Sequence, residues 1–247
     1  MGTPRFFVTA PLGAADVGTE YALPDADAHH VLRVLRLAVG EPVTLFTGAG
    51  GEFAATLARA GKRGASVRLD AFAPVERESS IAVTLVQAIT ATDTFDGIVR
   101  HATELGVAAI QPVVSHHGFR FPSAERGARR LEHWRQIAIA ACEQCGRNRV
   151  PVVRDVEALN DWLHARPPAR MGIVSDPAAT AGMAALAAPA SELDVLVGPE
   201  GGLSSDEVAR AARAGMTPVR MGPRILRAET AALAALAAIN GLWGDFR

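Results

Sequence analysis

From residue 81 onward the chain alternates short apolar runs with stretches of helical spacing, and few folds accommodate that alternation. Runs at 81–89, 107–114, 171–175, 193–197 and 217–221 read as strands, and helical patterns occupy 94–105, 131–145, a segment starting at 205, and 228–240. Strands apolar on both faces and separated by helices predict a parallel sheet with helices on both sides, an α/β fold. Helix limits are legible locally. Thr92 or Asp93 is a candidate cap for the first helix, and Gly106 stands where glycine accepts the left-handed backbone that closes a helix. Ser204 followed three residues later by Glu207 makes a capping box, so the next helix starts at Ser205.

The first seventy residues differ in kind. Short strands are expected at 5–9, 42–46, 52–57 and 65–69, punctuated by Gly40, Gly48, Gly50, Gly51, Gly61 and Gly64. That spacing suggests a small β-barrel, interrupted by one helix at 27–37 with Asp25 or Asp27 as its cap. The stretch 73–80 is polar and marked by Pro74. It divides the sequence into a barrel domain at 1–72, a linker at 73–80 and an α/β domain at 81–247.

A net charge of −1 argues against a uniformly basic surface. The distribution is uneven, however, because residues 100–154 carry nine arginines against four acidic residues. Two cysteines, Cys142 and Cys145, are too few for a disulfide framework. Their spacing has no second pair to complete a zinc site, and they fall within a helical stretch, so no metal is expected. No apolar run approaches the ~20 residues of a membrane span. The start of the chain carries no signal-peptide core, and the expected compartment is the cytoplasm.

Two segments could carry chemistry. Gly198-Pro199-Glu200-Gly201-Gly202 follows an apolar strand and precedes a helix, the position where open α/β sheets bind ligands. It lacks both the dinucleotide fingerprint and the Gly-Lys-Ser/Thr of a phosphate loop, which disfavours hydride transfer and nucleotide hydrolysis. Met221-Gly222-Pro223-Arg224-Ile225-Leu226-Arg227 repeats the arrangement at the next strand end, so two adjacent loops could form one crevice. Arg227 and Glu229 then lie at the mouth of the last helix, either as chemical groups or as an ion pair capping it.

With 140–151, 198–204 and 222–230 in this order, joined by His101-Ala102-Thr103-Glu104-Leu105-Gly106-Val107 and His30-Val31-Leu32-Arg33-Val34-Leu35-Arg36, the chain resembles the ribosomal RNA small subunit methyltransferase E family over essentially its whole length. One departure is visible. Ala228 stands where the family pattern Leu-Arg-Thr-Glu-Thr has threonine, so no hydroxyl is available there.

The resemblance implies a SPOUT-type sheet with a C-terminal trefoil knot, an N-terminal PUA-like barrel and a homodimer. It also implies transfer of a methyl group from S-adenosylmethionine to N3 of a uridine in 16S ribosomal RNA of the small subunit. Val197, Gly198, Pro199, Gly201, Gly202, Met221, Gly222, Ile225, Leu226 and Thr230 would then hold the cofactor, with Arg227, Glu200 and Glu229 as candidates for the chemistry. Arg5, Arg33, Arg36, Arg120, Arg129, Arg130, Arg147 and Arg149 would hold RNA phosphates. Two alternatives remain open at this point, a SPOUT enzyme with another nucleotide target and a non-catalytic RNA-binding assembly factor.

Overall fold

The computed structural model describes residues 3–61 and 64–246, so Lys62 and Arg63 of the expected 61–64 turn lie outside the described residues. The chain divides into two units, Met1–Glu78 with Cys142–Val150, and Ser79–Ala141 with Pro151–Arg247. The first boundary thus follows Glu78, inside the expected linker at 73–80. A second segment joins the first unit, which the contiguous division 1–72, 73–80, 81–247 did not foresee.

In the first unit β1 (Arg5–Phe7), β2 (Glu20–Ala22), β3 (Pro42–Phe46), β4 (Glu52–Gly61) and β5 (Gly64–Ala73) form one sheet in the order β1-β3-β4-β5-β2. β1 pairs with β3 in parallel and the remaining pairs are antiparallel. Alternate residues point inward, as half-buried strands require: Val43 and Leu45 of β3, and Phe53, Ala55 and Leu57 of β4, are buried in one core with Val67 and Leu69 of β5. The expected helix is shorter and less regular. α1 (Asp25–His29) passes directly into a wider π-type turn at His30–Val34, and its N-terminus follows Pro24 without a capping side chain.

Residues of the second segment tie this unit together from inside. Buried Asn148 accepts a hydrogen bond from Arg5 at 2.7 Å and donates one to the Val75 carbonyl at 2.7 Å. Arg147, 3% exposed, forms a two-point pair with Glu78. Arg5 and Arg77 both reach Glu52, at 2.7 and 3.0 Å. Burial alone would raise the Glu52 carboxyl, but hydrogen bonds from Arg77, Arg5 and Asn148 outweigh it and hold the group at about 2 instead of the usual 4.5. A carboxyl depressed in this way stabilises the fold fully above its ordinary range, and the contribution is lost progressively as pH falls from there through about 2.

The second unit is a parallel sheet. Its strands are β6 (Ala82–Ala88), β7 (Ala109–Val114), β8 (Val152–Val153), β9 (Glu157–Ala158), β10 (Met171–Ser175), β11 (Glu192–Val197) and β12 (Met216–Val219). They run in the order β12-β10-β11-β6-β7-β8, with β9 also on β7. Helices α2 (Thr92–Glu104) and α6 (Ala228–Leu242) pack against each other, with α6 also reaching β6 and β11. α4 (Leu159–Ala165) and α5 (Ser205–Arg213) share a core with Val86, Val174 and Leu196. α3 (Ala124–Cys145) is longer than the expected 131–145, and its last turn belongs to the first unit. Gly106 has φ +80°, as its place after α2 requires. Among the described residues no helix is long and apolar enough to cross a membrane.

One buried charge cluster anchors the sheet. Asp194 of β11 accepts a hydrogen bond from Arg166 at 2.9 Å and lies 2.9 Å from Arg170, with Asp194 and Arg166 3% and 5% exposed. Arg166 also donates to the carbonyls of Ala214 and Arg170, so most of its donor capacity is used. The chain makes room for it at Gly172, where a Cβ would stand 2.5 Å from the guanidinium.

Candidate functional site

Strands in a parallel sheet leave their C-terminal ends together, and the loops there enclose whatever the sheet binds. β10 and β11 pair in register from Met171 with Leu193 to Val174 with Leu196, so both end side by side. A cavity of about 300 Å³ opens at this edge. Val197, Gly198, Pro199, Glu200, Gly201 and Gly202 line it from the end of β11, and Ile225 and Leu226 line it from the segment before α6. The two glycine-bearing loops do form one crevice, but they are not adjacent. β10 stands between β11 and β12, and its end supplies Ser175, Asp176 and Pro177 to the wall.

Those three residues were missed from sequence, as were Leu203, Val208 and Ala231, whereas Ala228, marked in the sequence as the departure from the family pattern, also lines the cavity. The signal for the former was present in Asp176-Pro177, a turn pair closing an apolar strand. Met221, Gly222 and Thr230 do not line the cavity. Gly222 has φ +78°, a left-handed backbone that glycine accepts.

Backbone shape makes the site possible. At Gly198 a Cβ would stand 2.9 Å from the Leu203 amide nitrogen and 3.1 Å from the Gly202 carbonyl carbon, so any side chain would force the loop open. Gly202 has φ +72° and its amide donates to the Pro199 carbonyl at 2.9 Å, closing a tight turn. Behind the loop Glu207, 3% exposed, caps α5 by accepting from Ser204 and also accepts from the His116 amide at 2.7 Å. Burial by itself would raise this carboxyl, yet the hydrogen bonds from Ser204 and His116 prevail and lower it.

The charged candidates separate clearly. Arg227 occupies the N-cap position of α6, is exposed, and makes no ion pair or side-chain hydrogen bond among the described residues. The Arg227–Glu229 capping pair is therefore not formed. Glu229 is half-buried in the first turn of α6 and does not line the cavity. Glu200 lines it, and one carboxylate oxygen accepts the Ala91 amide at 3.0 Å. Ala91 is the N-cap residue of α2, so Glu200 supplies the cap that Thr92 or Asp93 was expected to provide.

The arginines expected to hold phosphate also divide. Arg5, Arg147 and Arg149 belong to the first unit's internal ties, with Arg149 3.3 Å from Glu76. For Arg147 burial rules out a surface contact. Arg130 is held by Asp96 at 2.6 Å over the Trp134 ring. Arg33, Arg36, Arg120 and Arg129 are exposed. Cys142 is fully buried and burial pushes its thiol up to about 12, consistent with a packed side chain. Among the described residues no group of acidic, histidine or cysteine side chains could hold a metal ion.

A family model described as an RNA methyltransferase domain matches residues 77–240, and one described as an RNA methyltransferase PUA domain matches residues 23–70. The crystal structure of a ribosomal RNA small subunit methyltransferase E from Neisseria gonorrhoeae bound to S-adenosyl methionine is 36% identical, with TM-score 0.92 over 100% of both chains. A Legionella pneumophila protein solved in complex with the bound cofactor SAM is 31% identical, with TM-score 0.94 over 100% of both chains. The ribosomal RNA small subunit methyltransferase E of Rickettsia conorii is 31% identical over 219 residues, 87% of each chain.

Proposed function

Because the chain belongs to the ribosomal RNA small subunit methyltransferase E family, we propose that it methylates N3 of one uridine in small-subunit ribosomal RNA, with S-adenosylmethionine as methyl donor. The observation that carries the reading is the cavity at the ends of β10 and β11, with its side-chain-free rim at Gly198, Gly201 and Gly202 and unpaired Arg227 close by in sequence to its other wall. A side-chain-free rim lets backbone amides approach a ligand, and Ile225, 85% exposed, and Leu226 offer an apolar surface to a nucleobase. When bound, the cofactor supplies a methyl group on a sulfonium, ready for in-line displacement.

The chain must supply the rest. N3 of uracil carries a proton at neutral pH and becomes a nucleophile only without it. An unpaired guanidinium opposite O2 or O4 would stabilise the resulting charge, and Arg227 has no competing partner. Of the two carboxylates, we assign proton removal to Glu200, which lines the cavity and keeps one oxygen outside its bond to Ala91. Holding the reactants at near-attack distance accounts for much of the remaining rate.

Nucleoside analysis of ribosomal RNA from a strain lacking this chain, with and without its restoration, tests the reading. Loss and return of 3-methyluridine is expected, and an unchanged nucleoside profile rejects it. Gly202→Val places a β-branched residue at φ +72° in open space, so the protein should fold while the rim loses its shape. Calorimetry should then find no S-adenosylmethionine binding, whereas wild-type affinity in a folded variant would move the cofactor elsewhere.

Assembly as a homodimer belongs to the same reading. One face of α6 is apolar yet only half-buried, at Leu233, Ala234, Ala237 and Ala238. Light scattering at micromolar concentration should give twice the chain mass, and a monomer would reject the dimer.

A further inference from the structure

We infer that the loop after β7, residues 115–121, is a stacking platform for a nucleotide flanking the target uridine in single-stranded RNA, with Phe119 as the base-binding side chain. The inference rests on the RNA methyltransferase reading and adds a substrate contact to it. Three observations carry it. The loop is fastened to the candidate site at several points. The His116 amide donates to Glu207, His117 Nδ1 lies 3.3 Å from the Gly202 carbonyl, and a Cβ at Gly201 would stand 3.0 Å from the His117 Cβ. The Phe119 amide donates at 3.0 Å to the carbonyl of Ile89, two residues before the Ala91 amide that Glu200 accepts. The ends of β6, β7 and β11 are thus interlocked beside the cavity.

Phe119 itself is not core. It is 45% exposed and touches Phe121 edge-on, with centroids 5.5 Å apart at 78°. Phe121 in turn stands 6.0 Å from buried Trp134. An aromatic ring that is steadied by a neighbouring ring and leaves nearly half of its surface exposed is suited to stack on a base, since every base offers a π-face. The third observation is charge. Arg120, Arg126 and Arg129 are exposed and make no ion pair or side-chain hydrogen bond among the described residues. Arg126 and Arg129 are three residues apart on α3 and share a face, whereas Arg130 turns away to Asp96. Cations without protein partners on this loop and in the first turns of α3, together with an exposed ring, match a strand that carries both bases and phosphates.

The test uses the full chain with an RNA fragment carrying the target uridine in a single-stranded segment. Phe119→Ala should weaken binding by about 5- to 100-fold, the range seen when one stacked base loses its ring. S-adenosylmethionine affinity and the slope of log affinity against log salt should both stay at wild-type values, because a neutral ring releases no counterions. Phe119→Trp should restore binding. An abasic nucleotide beside the uridine should cost the wild type the same factor and cost Phe119→Ala nothing further. Wild-type RNA affinity in Phe119→Ala, or a loss matched by reduced cofactor binding or altered salt slope, overturns the inference. A wild-type chain that neither binds nor methylates the fragment instead rejects the function reading on which it rests.

Discussion

Arg227→Ala should lower single-turnover methyl transfer at saturating RNA by about 100-fold or more while leaving cofactor affinity and RNA affinity near wild type. The expectation follows from where the side chain stands. A guanidinium already neutralised by a carboxylate would add little to a developing negative charge, but Arg227 has no such partner. Lysine at this position keeps the charge and loses the planar fork, so Arg227→Lys should recover only part of the rate. Glu200→Gln is the companion variant. An amide retains an acceptor for the Ala91 N–H and preserves the helix cap, yet cannot take up the N3 proton at neutral pH. A slow Glu200→Gln with intact folding supports its assignment as base, and normal turnover removes it. Normal single-turnover rates in Arg227→Ala would leave the uracil anion to another cation.

A different kind of loss is expected at the other end of the same sheet. Asp194→Asn should destabilise the protein by about 3–5 kcal/mol, because it strips the countercharge from Arg166 while that guanidinium stays buried. The whole stability of a native protein is about 5–15 kcal/mol, so the loss is a large fraction of it. With roughly 2–4 °C per kcal/mol for a chain of this size, the melting temperature should fall by about 10 °C. The pair is not irreplaceable. Replacing Asp194 and Arg166 together by Leu and Met should recover much of the lost stability, since the buried guanidinium leaves with its countercharge and Arg170, which is partly exposed, keeps Glu192 at 3.3 Å. If the single variant melts within about 2 °C of wild type, Arg166 finds solvent in the native state and the cluster is not a buried tie.

Most of the α/β unit was legible because its signals are local. Met171–Ser175 is a strand as expected, and Ser204 with Glu207 fixes the first residue of α5. The limits of β6, β7 and β11 moved by one or two residues. Elements too short to show a period were missed, among them β2, which is three residues long and largely exposed, the two-residue β8 and β9, and the seven-residue α4. The site was half legible. Glycines before a capping box announce a ligand loop from spacing alone, but strand order does not follow from spacing, and so the contribution of Ser175, Asp176 and Pro177 was hidden.

The arginines were the least legible part. Charge along a chain does not reveal which residues meet, and Arg5 is separated by 143 positions from the Asn148 that anchors it. A run of arginines around Arg147 therefore read as a surface when its centre is interior.

That last pairing has a consequence for how the protein is made. Because Cys142–Val150 belongs to the first unit, that unit is still incomplete when the five strands of its sheet have emerged from the ribosome. Synthesis proceeds at about 5–20 residues per second, so Arg5 and Glu78 wait several seconds for Asn148 and Arg147. During that interval the sheet exists without its internal clasp. A gene fragment ending after Glu78 would hold the chain permanently in this state, which makes the first unit a poor candidate for transplantation as a stand-alone cassette.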